Sequence, residues 1–276
     1  MSLLEAVVLG LLQGLTEFLP VSSTAHLRIA PELAGWPDPG AAFTAITQLG
    51  TLVAVLAYFR RDLWRIARTW AQSLGRPELR GELDARMGWY VIIATVPIAV
   101  FGAAFDDQVE GGARDLRLVA WSLIGFGLVL LAADRLGSKR RGIERITTRD
   151  GILVGLAQAL ALVPGVSRAG ATITAGLFLG LDRPAAARFS FLLSVPAVAL
   201  AGLYELRVLR DAGSHGGLDP VGTGVATLVA LVSGYAAIAY FLRFLQRHSL
   251  GVFVVYRVLL GAAILALLAR GALGEP

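Results

Sequence analysis

Two short stretches of this sequence bring together residue types that apolar segments rarely hold. The first runs Gln13-Gly14-Leu15-Thr16-Glu17-Phe18-Leu19-Pro20-Val21-Ser22-Ser23-Thr24-Ala25-His26. The second runs Pro164-Gly165-Val166-Ser167-Arg168-Ala169-Gly170-Ala171-Thr172. In the first, Gln13 and Glu17 are four residues apart and share one helix face. Pro20 stops that helix, and Ser22 or Ser23 then caps another, with Thr24 and His26 in its first turn. In the second, Pro164-Gly165 ends one helix, Ser167 caps the next, and Arg168 and Thr172 fall in its opening turns. A charged side chain costs roughly 2.5–3.5 kcal/mol at the centre of an inserted helix, so such residues usually mark function there.

The chemistry these groups suit is phosphate chemistry. Two helix N-termini meeting inside an apolar layer offer free N–H groups and two positive dipole ends to an anion. Arg168 adds a planar fork for phosphate oxygens, and Ser22, Ser23, Ser167 and Thr172 add hydroxyl donors. Glu17 does not belong in a pure anion-binding site. It does belong in a hydrolytic one, where a carboxylate acts as base or holds a divalent cation and His26 shuttles a proton. The residues alone leave open whether Glu17 or His26 is the base, and whether Ser23 or water attacks. Gln13 and Gln158 are equally explained as interhelical hydrogen-bonding partners, and Glu17 with Arg168 as a structural buried pair. Their joint occurrence at two similar breaks favours the chemical reading.

The elements that must position these groups are membrane helices. Of the residues, 56% are hydrophobic and only 16% charged, well below the roughly one quarter charged of a soluble domain. Six apolar runs are long enough to span a bilayer: about Ala42–Phe59, Gly88–Phe105, Leu118–Asp134, Ala186–Tyr204, Val221–Leu242 and Leu250–Leu268. Leu3–Pro31 and Gly151–Leu181 are apolar but broken midway, and each reads as a re-entrant helix pair. The run Leu3–Leu19 lacks a basic start and holds Gln13 and Glu17, so it is expected to stay in the mature protein. There are no cysteines, which excludes disulfides and thiolate chemistry.

Arginine and lysine concentrate in Arg60–Arg86 and Arg135–Arg149, while Asp106, Asp107, Glu110 and Asp115 lie between them. The basic loops are therefore expected in the cytoplasm and the acidic one outside, which puts both termini outside. The net charge of +5 comes from residues that flank spans, so no nucleic-acid partner is expected.

The two broken regions also match each other. Gly10-Leu11-Leu12-Gln13-Gly14-Leu15 aligns with Gly155-Leu156-Ala157-Gln158-Ala159-Leu160, and Pro20, Val21 and Ser22 align with Pro164, Val166 and Ser167 after a one-residue shift. Each repeat is then a re-entrant pair plus three spans. Three is odd, so the second repeat enters upside down. The expected fold class is an all-α polytopic membrane protein with an inverted-topology repeat, six transmembrane helices and two re-entrant pairs. It forms one membrane domain over residues 1–276, with repeats at about 1–136 and 146–271. Such folds put their site near the midplane where broken helices meet.

Both stretches resemble the two signatures of the undecaprenyl-diphosphate phosphatase family, and the similarity extends along nearly the whole chain, through Leu181-Asp182-Arg183-Pro184 and beyond. The resemblance implies a bacterial inner-membrane hydrolase that removes one phosphate from undecaprenyl diphosphate, recycling the lipid carrier for cell-wall synthesis, with a link to bacitracin resistance. It places Glu17, Ser23, His26 and Arg168 on catalytic positions, and Ser22, Ser167 and Thr172 on phosphate-contacting or supporting ones. Gln13, Thr24 and Gly170, within the same motifs, join the substrate-binding set. It also implies a divalent cation, Mg2+ or Ca2+, for which Glu17 is the candidate ligand. Two departures stand out: Gln13 where many relatives carry a second glutamate, and Ala169 where serine is common. The expected partners are a polyprenyl diphosphate lipid and the bilayer, with a homodimer compatible. The site is expected to open externally. A lipid-phosphate flippase using the same anion site is the alternative function.

Overall fold

The computed structural model describes residues 1–105, 115–211 and 219–273. Asp106, Asp107 and Glu110 of the expected acidic loop lie outside the described residues. The helices are α1 (Leu3–Phe18), α2 (Ser23–Ala34), α3 (Gly40–Tyr58), α4 (Arg60–Gly75), α5 (Leu83–Ala104), α6 (Leu116–Leu136), α7 (Thr148–Ala159), α8 (Arg168–Phe178), α9 (Arg183–Asp211), α10 (Pro220–Leu245) and α11 (Gly251–Ala269).

Among the described residues, six stretches are long and apolar enough to cross a membrane: Gly40–Tyr58, Leu83–Ala104, Leu116–Leu136, Arg183–Tyr204, Pro220–Leu245 and Gly251–Ala269. The chain is therefore an all-α polytopic membrane protein. These are the six expected runs with shifted ends. α5 starts at Leu83 rather than Gly88 because Asp84 and Arg86 extend the helix beyond its apolar part.

The remaining helices are short. α1 and α2 have 16 and 12 residues, α7 and α8 have 12 and 11. At 1.5 Å per residue none reaches the ~30 Å of a hydrocarbon core. α1 starts with a capping box, Ser2 with Glu5. α7 starts with another, Thr147 with Asp150.

The basic segment after α3 is not a continuous loop, since Arg60–Gly75 forms α4. This helix has three faces. Ile66 and Ser73 are buried, and Trp70 meets Trp89 of α5 edge-on at 5.6 Å. Trp64 and Leu74 are exposed along a second face, Arg61 and Arg68 along a third. An apolar stripe beside an arginine stripe suits a helix lying in the headgroup layer.

Close packing between the helices is exchanged in pairs. α1 lies along α10 and α7 lies along α5, α3 packs on α10 and α9 on α5, while α3 meets α9 and α6 meets α11. Small residues permit the close crossings. A Cβ on Gly10 or Gly14 of α1 would strike the α10 backbone at Ala226 or Ala230, and one on Gly155 of α7 would strike Ala94 of α5. Phe18, Phe191 and Phe241 centre the largest apolar cluster. The link between α6 and α7 docks on the end of α8. There the Arg141 fork holds both Asp150 oxygens at 3.0 and 2.5 Å, and the Arg141 backbone bonds Gly180 and Asp182.

Candidate active site

α1 delivers Gln13 and Glu17 to its end on one buried face, and the chain then turns through Leu19–Val21 into α2. Glu17 collects three donors. Its Oε2 accepts from Gln13 Nε2 (2.9 Å) and Ser23 Oγ (2.8 Å), and its Oε1 accepts from Arg168 Nη2 (2.6 Å). The last bond joins the first break to the second across 151 positions of sequence.

The two breaks are capped alike. Ser22 Oγ accepts from the Ala25 N–H (3.5 Å), and Ser167 Oγ accepts from the Gly170 N–H (3.1 Å). Both serines have left-handed backbone, φ 71° at Ser22 and φ 73° at Ser167. Such a conformation costs a non-glycine residue about 1–3 kcal/mol and persists only where its surroundings impose it. The opening N–H groups of each helix, at Ser23 and Thr24 and at Arg168 and Ala169, have no intrahelical acceptor. Arg168 Nη1 is buried and lacks a partner among the described residues.

These groups open on one cavity of about 230 Å³. Its polar end is formed by Glu17, Ser22, Ser23, Thr24, Ser167 and Arg168. Its apolar side is formed by Ile98 of α5, Leu162 and Val163 before the second break, and Ala197 and Ala201 of α9. Gln48 of α3 also faces it. One end thus suits a charged head and the other an apolar chain.

Not every expected residue stands at the cavity. Thr172 Oγ1 donates to the Arg168 carbonyl (2.8 Å) and shares a hydrogen bond with Ser190 Oγ (2.6 Å), so it braces α8. The Gly170 N–H is taken by the Ser167 cap. His26 lies behind the first break. Its Nδ1 is 2.7 Å from the Ser22 carbonyl, which can only accept, so Nδ1 carries the proton. Its Nε2 then accepts from the Tyr256 hydroxyl at 2.5 Å. The two glutamines part ways: Gln13 holds Glu17, whereas Gln158 Nε2 donates to the Ala94 carbonyl of α5 (3.0 Å) and joins two helices.

Three residues were not singled out by sequence: Gln48, Tyr256 and Arg257. Arg257 is fully buried in α11 and donates to five backbone carbonyls. An arginine within an apolar span is itself a signal of function, so this one was legible in principle.

A metal would need hard oxygen donors. Gln13 Oε1 is buried without a partner among the described residues, next to Glu17, and Glu17 itself lines the cavity where the phosphate oxygens of a substrate would add to it. That donor set fits a divalent cation in kind.

A family model described as bacitracin resistance protein BacA matches residues 6–263 of the chain. The chain is 58% identical over 268 residues to an undecaprenyl-diphosphatase of a Nocardioides species, covering 97% of each. It is 54% identical over 288 residues to undecaprenyl-diphosphatase 3 of Frankia alni, covering 99% of this chain and 97% of the other. It is 53% identical over 282 residues to an undecaprenyl-diphosphatase of Mycolicibacterium smegmatis, covering 99% of each.

Proposed function

The chain belongs to the bacitracin resistance protein BacA family, and from that premise we propose how its residues carry out the family's reaction. The protein is a membrane phosphatase that hydrolyses undecaprenyl diphosphate to undecaprenyl phosphate and inorganic phosphate, returning the lipid carrier to cell-wall synthesis. One observation carries the mechanism: Ser23 Oγ donates to Glu17 Oε2 at 2.8 Å, at a helix N-terminus facing an arginine with an unfilled donor.

Arg168 and the two helix N-termini hold the diphosphate, Nη1 and the first-turn N–H groups taking phosphate oxygens. Ser23 Oγ attacks the terminal phosphorus while Glu17 accepts its proton. The anhydride P–O bond breaks, undecaprenyl phosphate leaves, and the phosphoryl group rests on Ser23. Water then attacks that phosphorus, Glu17 passes its proton to Ser23 Oγ as the Ser23–phosphorus bond breaks, and both protons of the water leave on the phosphate as dihydrogen phosphate. Glu17 is favoured over His26 as base because His26 has both ring nitrogens engaged elsewhere. Glu17 and Gln13 would hold Mg2+ or Ca2+, whose charge would offset that of the diphosphate. Ser22 and Ser167 hold the helix ends in shape, and Gly170 and Thr172 support from behind. The prenyl chain lies along the apolar side past Ile98, Leu162 and Ala197.

The architecture behind this is an inverted repeat, residues 1–136 and 146–271, with α1–α2 and α7–α8 as re-entrant pairs. The exchanged packing of α1 on α10 and α7 on α5, with α6 facing α11, supports it, because a two-fold relation swaps such partners. The basic loops face the cytoplasm of the bacterial inner membrane, both termini lie outside, and the cavity opens externally.

Purified protein in detergent micelles, where no two sides exist, should release inorganic phosphate from undecaprenyl diphosphate. The Ser23→Ala variant should bind the lipid without releasing phosphate. Wild-type protein that binds without release would instead favour a flippase.

A further inference from the structure

The fully buried Arg257 donates through every N–H it has. Nε bonds the Leu123 carbonyl (3.0 Å), Nη1 bonds Pro20 (3.1 Å) and Val166 (3.0 Å), and Nη2 bonds Ser122 (3.2 Å) and Gly165 (3.0 Å). That exhausts the five donors of a guanidinium. No carboxylate lies within ion-pair distance among the described residues, so carbonyl dipoles alone compensate its charge. Two of those dipoles belong to α6. The other three belong to the two breaks, Pro20 just ahead of Ser22, and Gly165 and Val166 just ahead of Ser167.

The space for this side chain is built. A Cβ on Gly170 of α8 would sit 3.1 Å from Arg257 Nη1, and one on Gly127 of α6 would sit 3.3 Å from Arg257 Cβ. The preceding residue completes the arrangement. The Tyr256 hydroxyl meets His26 Nε2, and His26 Nδ1 meets the Ser22 carbonyl.

We propose that Tyr256 and Arg257 are positioning residues, a clamp on α11 that fixes the two breaks relative to each other and so aims Ser23 at a phosphate held by Arg168. The proposal rests on the reading of Ser23 and Glu17 as the reacting pair. In a trans peptide the C=O and the next N–H point in opposite directions. A Val166 carbonyl turned to Arg257 therefore turns the Ser167 N–H away from it, on a residue that lines the cavity. The same anchoring explains why two serines keep left-handed backbone. A lysine would keep the charge but has three donors on one nitrogen, too few for five carbonyls and too localised to reach all three segments that carry them.

The test measures kcat and KM for phosphate release by Arg257→Lys and Tyr256→Phe, with the folded fraction of each followed by size exclusion and thermal unfolding in detergent. A displaced attack geometry costs about a hundred-fold in kcat, and that is expected for Arg257→Lys. KM should stay near wild type, because the prenyl chain and Arg168 still bind. Tyr256→Phe should lower kcat about ten-fold. Wild-type kcat per folded molecule in Arg257→Lys overturns the proposal. Should that variant not accumulate folded, wild-type kcat in Tyr256→Phe overturns it. Activity surviving in Ser23→Ala would instead strike the reading of the nucleophile, which separates the two failures.

Discussion

At the residue scale, the proposed chemistry depends on which groups touch. Ser23→Ala removes the attacking oxygen, and phosphate release should fall at least about a thousand-fold while the lipid still binds. Glu17→Gln removes the base and leaves Arg168 without its counter-charge. It should lower kcat about a hundred-fold or more, read in the same assay. His26, by contrast, is expected to act through the Ser22 carbonyl and Tyr256 rather than at the phosphorus. Much of this constellation was legible in the sequence. The four-residue spacing of Gln13 and Glu17, a serine cap at Ser22 or Ser23 and another at Ser167, and Arg168 at a helix start are all local features. The direction of the His26 ring was not, because it depends on Tyr256, 230 positions away. The different fates of Gln13 and Gln158 were hidden for the same reason: identical side chains in matching motifs face different neighbours.

At the element scale, short helices must cross closely for the breaks to meet. Gly14 of α1 lies against Ser233 and Gly234 of α10, leaving no room for a side chain. Gly14→Val should destabilise the protein by about 1–3 kcal/mol through overpacking. A Cβ on Gly125 of α6 would meet nothing within 4 Å outside its own helix among the described residues. Gly125→Ala should be neutral or stabilising by up to about 1 kcal/mol. Thermal unfolding of the two variants in one detergent provides the comparison, and a larger loss from Gly125→Ala would contradict the packing argument. The helix α4 escaped the sequence reading because its arginines mask an apolar periodicity that only half belongs to the core. Its Trp64 stripe faces away from the protein.

At the scale of the whole molecule, sidedness and the joint between the halves can be probed. The chain has no cysteine, so single cysteines report cleanly. One replacing Arg68 on α4 should be labelled only from the cytoplasmic side, and one replacing Ala272 only from outside. The opposite pattern would invert the topology. The joint is the Arg141–Asp150 pair. Burial pushes the Asp150 carboxyl up, but the Arg141 fork and the Thr147 hydroxyl and N–H pull it further down, so it lies below the usual carboxylate range. A carboxyl held low when folded contributes stability that is fully present above its unfolded value of about 3.9. That contribution is lost as pH falls through the folded value. The melting temperature of wild type should therefore exceed that of Asp150→Asn by a constant margin down to about pH 5, and the margin should shrink below about pH 4. A margin independent of pH would remove the charge from the explanation.

The sequence by itself determined the solvent of this protein, its six spans, its two breaks and the residue types gathered there. Hydropathy, proline and serine caps act over a few neighbouring residues, so their consequences can be read along the chain. Only the tertiary structure decided that Glu17 binds both Ser23 and Arg168, that His26 turns to Tyr256, and that Arg257 joins the breaks. Apart from the Ser23 contact, these bonds span between 91 and 237 positions of sequence. No periodicity encodes such distances. They exist because helices that cannot bury their polar ends alone are packed until those ends meet.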